Sequence, residues 1–150
     1  MIFQRLNRSD PERVFLVVEN NEGATMVKDA TAQWELASAS VDGVKVRDVD
    51  SANDWAFAGI VDADIADNEF GLIQVYGFRS SSIIFQTGTS VATGAALAAV
   101  TGVHYLNSVA TTTSSASHAT QQNIVAVLAE SITDATASGT VSRKVFIRAL

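Results

Sequence analysis

The sequence predicts an all-β chain, a compact β-barrel-like domain carrying an extended N-terminal arm. Three observations predict it. Runs rich in β-branched and aromatic residues dominate, and turn-forming residues interrupt them roughly every 8 to 12 positions, the spacing of a sandwich or barrel. The single proline and most of the nine glycines fall between those runs rather than inside them. The one helix-like stretch, Ala95 to Val100, is short and flanked by Gly94 and Gly102, so a turn or a strand suits it equally.

Taken in order, residues 1–11 mix apolar and basic side chains and read as an arm, and residues 12–150 as one β-rich domain. Glu12 to Glu19 (ERVFLVVE) is the first strand, bounded by Pro11 and by the turn formers Asn20, Asn21 and Gly23. Ala32 to Ala37 places Trp34 and Leu36 on one face. Asp42-Gly43 is a hairpin signal, with Val44, Val46 and Val49 suggesting a strand after it. Trp55 to Val61 (WAFAGIV) and Gly71 to Phe78 (GLIQVYGF) are the most strand-like runs, followed by Ser82 to Gln86, Asn123 to Leu128 and Thr140 to Ile147. Ser108 to Thr120 is Ser/Thr-rich and low in complexity, the composition of an exposed loop. No repeat of a fixed period is visible. Trp55, Phe57, Ile73, Val75, Phe85 and Ile147 are the expected core, and Trp34, Phe70, Tyr76 and Phe78 are also read as core rather than as a sugar-stacking platform.

Composition excludes several function classes. At 150 residues the chain buries enough surface to fold without a staple, and with no cysteine it has no disulfide or zinc-thiolate option. No apolar run reaches the roughly 18 residues of a membrane helix, and the N-terminus is not a secretory signal, so synthesis in a cytoplasm without export or membrane insertion is expected. The net charge of −6 argues against nucleic acid as a partner. Asp48, Asp50, Asp54, Asp62, Asp64, Asp67 and Glu69 all lie between Arg47 and Arg79, where there is no base. From Ser80 to Ser142 the only charges, with histidine neutral, are Glu130 and Asp134. Such charge depletion suits a surface covered by another subunit, or else a hydroxyl-rich β-domain.

Candidate chemistry is thin. Gly88-Thr89-Ser90-Val91-Ala92-Thr93-Gly94 looks like the segment around a subtilisin-type nucleophile. However, a serine nucleophile needs a base and an orienting carboxylate, and His104 and His118 both follow Ser90, against the order of that family. Asp62, Asp64 and Asp67 suggest a cation loop, but Ala66 and Asp67 stand where an EF-hand needs a ligand and a glycine. The two histidines lack metal-pair spacing. The sequence therefore predicts no enzyme, no metal and no cofactor.

Phe57 to Gly102 carries a resemblance. FAGIVDADIADNEFGLIQVYGF, a serine-rich strand and GTSVATGAALAAVTG together resemble the small structural proteins of tailed bacteriophages encoded beside the major capsid protein, as do DPERVFLVVENNEGATM and the Asp42 to Val46 turn. The resemblance implies a capsid decoration, or cement, protein: a β-barrel or tulip-like domain, commonly trimeric, bound outside the capsid at threefold or quasi-threefold sites and bridging capsomers. It implies the major capsid protein and copies of the chain itself as partners, the virion as location, and no catalytic residues. A head-fibre base, an adaptor or a receptor-binding module is the alternative, and a small hydrolase using Ser90 a remote one. The expected contact residues are Phe3, Arg5, Leu6 and Arg8 of the arm, with Arg13, because apolar anchors beside arginines suit an interface.

Overall fold

The computed structural model describes residues 11–36, 41–49, 56–87, 90–100, 104–109, 124–133 and 138–149. Their regular elements are nine strands and no α-helix: β1 (Arg13–Asn20), β2 (Thr31–Trp34), β3 (Lys45–Arg47), β4 (Phe57–Val61), β5 (Phe70–Thr87), β6 (Ala96–Ala99), β7 (Leu106–Ser108), β8 (Ile124–Leu128) and β9 (Ser138–Arg148). The chain is all-β and barrel-like. Ala95 to Val100, open between turn and strand in the sequence, supplies β6.

The pairing closes two rings that share one strand. β5 pairs with β1 and β4 through its first half, and β1–β3, β3–β2 and β2–β4 complete a five-membered cycle. Through its second half β5 pairs with β7 and β9, and β7–β6, β6–β8 and β8–β9 complete a second cycle. β1–β3 and β5–β7 are parallel and the remaining pairs antiparallel. The sequence divides residues 71–86 into two runs. The structure makes them one 18-residue strand with an irregularity between Arg79 and Ser82. That irregularity sits where β5 passes from one ring to the other, consistent with a bulge re-aiming a strand.

Each ring has its own core. Val18, Met26, Ala32, Val46, Val61, Ile65, Ile73 and Val75 fill the first, while Ile84, Leu97, Leu106, Leu128, Ile132, Val145 and Ile147 fill the second. β4 is buried along its whole length because it serves both: Ala58 and Val61 face the first core, Phe57 and Ile60 the second. This accounts for the unbroken apolar WAFAGIV run, since a strand covered on both faces has no reason to alternate. Gly59 keeps this layer thin; a Cβ there would lie 2.6 Å from the Gln74 carbonyl oxygen.

The two rings use one turn design, recurring without a fixed period. Met26 and Ile65 form an isolated antiparallel bridge in the first ring, as do Val91 and Ile132 in the second. Three residues after Met26, Ile65 and Val91 stand Asp29, Asn68 and Gly94, with φ of 68°, 60° and 89°. The following residue closes each turn: Ala30 donates to Val27, Glu69 to Ala66 and Ala95 to Ala92, at 3.1–3.2 Å. TMVKDA, DIADNE and SVATGA share only an apolar bridging residue and a residue tolerant of left-handed backbone, too little for sequence comparison to register.

Phe57, Ile73, Val75 and Ile147 are buried, as expected, and Trp55 lies outside the described residues. Phe85 is only half-buried: its neighbours Ile84 and Gln86 point inward, and it stacks on Tyr105 instead, 5.0 Å between ring centres. Phe70 and Tyr76, read as core, are exposed.

Candidate interaction surface

The exposed aromatic residues belong to a continuous apolar face. β1 and β5 pair Val14 with Tyr76, Val17 with Leu72 and Glu19 with Phe70. Five of those six side chains are large and apolar, and all five are exposed, Val17 and Phe70 to 64% and 63%. Across the other edge of β5, exposed Phe146 pairs with Phe78 and meets it edge-on at 5.4 Å. The signal was present in β1: RVFLVV is apolar at every position after Arg13, whereas a half-exposed strand should alternate. The charge-poor stretch from Ser80 to Ser142 is a different matter. Among its described residues no large hydrophobic is exposed; its aliphatic side chains line the second ring.

Beside this face lies a polar recess of about 190 Å³, lined by Arg13, Lys28, Asp29, Asp62, Gln74, Arg79, Ser80 and Ser81. Its floor is the Arg79 guanidinium, 6% exposed. It donates to Asp29 Oδ1 at 2.7 Å, Asp62 Oδ1 at 3.0 Å, the Val61 carbonyl at 2.7 Å, the Ser81 carbonyl at 2.8 Å and Gln74 Oε1 at 3.3 Å. Ser81 donates in turn to Asp29 Oδ2. A buried cation so fully satisfied is a structural joint rather than a reactive group. It ties the 26–30 turn and the end of β4 to the β5 irregularity where the rings meet.

Of the expected contact residues, Arg13 opens β1, is exposed and sits in register with Gly77. Phe3, Arg5, Leu6 and Arg8 lie outside the described residues. The acidic run proves to be turn scaffolding: Asp62 pairs with Arg79, Asp64 accepts from the Lys28 amide at 2.8 Å, and Asp67 from the Gly23 amide at 2.8 Å. Among the described residues no group of three or more His, Asp or Glu is placed to hold a metal ion. Ser90 is exposed, and His104 has its Nδ1 3.8 Å from Asp48 Oδ2. Burial, and then the nearby Glu22, pushes the Asp48 carboxyl above its usual range, while His104 and Arg47 pull the other way. His118 lies outside the described residues. No helix among them is long and apolar enough to cross a membrane.

No protein-family model matches the chain, and no curated protein matches it in sequence.

Proposed function

We propose that the chain is a virion structural protein, a decoration or cement protein that binds the outside of a tailed-phage capsid and stabilises it by bridging capsomers. It acts by contact and not by catalysis. The observation that supports this best is the apolar face of β1, β5 and β9: large exposed side chains grouped on one sheet surface mark a site for a protein partner. The resemblance supports it further, because its quoted segments fall on β4, the turn before β5, β5 itself and the Gly94 turn into β6. The partners are the major capsid protein and further copies of the chain, in a trimer at threefold positions. The arm, with Phe3, Arg5, Leu6 and Arg8, and Arg13 at the head of β1 reach the capsid surface.

Adding purified chain to preformed, undecorated capsids of the phage that encodes it tests this. Saturable binding at hundreds of copies per particle is expected, whereas an adaptor or fibre base would bind in a few. Deleting residues 1 to 10 should weaken binding more than tenfold, about 1.4 kcal/mol. Failure of the intact chain to bind such particles at any concentration would defeat the proposal.

A further inference from the structure

The first ring has an open seam. β1 lies between β5 and β3, but β3 pairs only with Glu19 and Asn20, so among the described residues β1 from Arg13 to Val18 is hydrogen-bonded on its β5 side alone. The Glu19 amide donates to the Val44 carbonyl at 3.0 Å, away from β5. The register from Phe15 to Glu19 is unbroken, so strand alternation aims the backbone groups of Val17 and Phe15 the same way. No described residue bonds them there. β9 has a comparable stretch among the described residues, since β8 pairs only with Val145 to Ile147 and the Ala129 amide donates to the Lys144 carbonyl at 2.8 Å. The difference lies in the side chains. The bare stretch of β9 is SGTVSR, mostly polar and ending on a base in the manner that protects an edge, whereas that of β1 is RVFLVV. An edge of five apolar residues after Arg13, without a proline or an inward charge, is a template for another strand.

We propose that this edge pairs antiparallel with β1 of a second copy about a twofold axis at Leu16. Only the outward-facing residues can exchange hydrogen bonds, so Phe15 meets Val17 of the partner and Val17 meets Phe15, four backbone bonds in all. Leu16 meets its own counterpart. Beyond these pairs the partner strand leaves the edge before β3, close to the register irregularity between Val14 and Phe15, where Val75 is the extra residue on β5. The same antiparallel register about Leu16 brings Arg13 toward Glu19 of the other copy at both ends of the seam. Both side chains are without a partner among the described residues, and they carry opposite charge in a self-complementary arrangement. The contact joins two first rings into one continuous sheet and extends the exposed Val17 and Leu72 surface across the axis. It does not depend on the capsid reading.

Sedimentation equilibrium of the purified chain from micromolar to near-millimolar concentration tests it. The wild type should dimerise. Val17→Pro should be monomeric yet folded, since the lost amide faces away from β5, and Val17→Lys provides a second edge block. Arg13→Glu and Glu19→Arg should each weaken the dimer about fivefold or more, and the double reversal should restore it. Leu16→Cys, in a chain with no cysteine of its own, should oxidise to a covalent dimer. The proposal is overturned by a monomer throughout, by Val17→Pro dimerising like the wild type, or by a double reversal as weak as the single ones. Exchange-protected Phe15 and Val17 amides in a dilute monomer would also overturn it, because the chain's own residues would then fill the edge. A trimer as the sole assembly overturns it while leaving the capsid reading intact.

Discussion

Replacing Arg79 by Met removes the cation at the joint between the rings while keeping most of the side chain's length. The loss is worked from what remains. Asp29, whose side chain is only 16% exposed, keeps its charge but loses a 2.7 Å partner. The Val61 and Ser81 carbonyls lose donors at 2.7 and 2.8 Å. Breaking a buried ion pair from one side costs about 3–5 kcal/mol, because the surviving charge is left uncompensated. Against a total stability of about 5–15 kcal/mol this is a large fraction, and it should lower the melting temperature by roughly 6–20 °C. The other members of the network should follow a fixed order. Asp29→Asn keeps an acceptor for the guanidinium and should cost less, about 1–3 kcal/mol. Asp62→Asn touches a carboxylate 43% exposed and should cost no more than about 1 kcal/mol. Urea unfolding followed by tryptophan fluorescence and far-ultraviolet dichroism measures all three. If Arg79→Met unfolds within about 1 kcal/mol of the wild type, or if Asp62→Asn costs more than Asp29→Asn, the joint does not work as described.

Three further outcomes are expected. Gly77→Ala should be among the most destabilising single-methyl changes in the chain: φ there is 96° and the new Cβ would fall 1.9 Å from the Glu12 carbonyl oxygen, so wild-type-like melting would show that the chain does not pass there. Phe57→Ala and Val75→Ala empty different cores, so each should cost roughly 2–5 kcal/mol and the two should add in denaturant titrations. Burial raises the Asp48 carboxyl, so its stabilising share is full below its unfolded value, near 3.9, and is lost as pH rises through the folded one. Asp48→Asn should therefore gain stability relative to the wild type at pH 7 and lose that advantage at about pH 3.5, which paired thermal melts at the two pH values would reveal.

Much of the fold is legible from residue type because strand signals are local. ERVFLVVE, WAFAGIV and GLIQVYGF mark β1, β4 and half of β5, and Asp42-Gly43 marks the turn that Asp42 caps with bonds to the Val44 and Lys45 amides. What escaped is non-local. Nothing in RSSSIIF announces that the strand continues through Arg79, because Arg79 and Ser81 are satisfied by Asp29, Asp62 and Ser142, distant in sequence. β7 is three residues long and exists only through its neighbours. Phe70 and Tyr76 look like core by hydrophobicity alone; their exposure follows from the alternation of β5, whose intervening residues Ile73 and Val75 take the inside. Of the expected contact set, only Arg13 falls within the described residues, and the apolar β1–β5 face was hidden because it needs two strands to be seen together.

The shared strand also sets the order in which the chain can be completed during synthesis. Every strand pairing of the first ring uses residues before 78, so that ring can close on a nascent chain as soon as the first half of β5 has cleared the ribosome. At that moment Phe57 and Ile60 on the far side of β4, and Ile84 further along β5, still await β6 to β9. The half-made protein is thus a finished ring with one apolar flank bare, and the last 60 or so residues serve as its cover. Pausing translation in that interval should favour aggregation, and ending it earlier, within β5, should release a fragment that never closes.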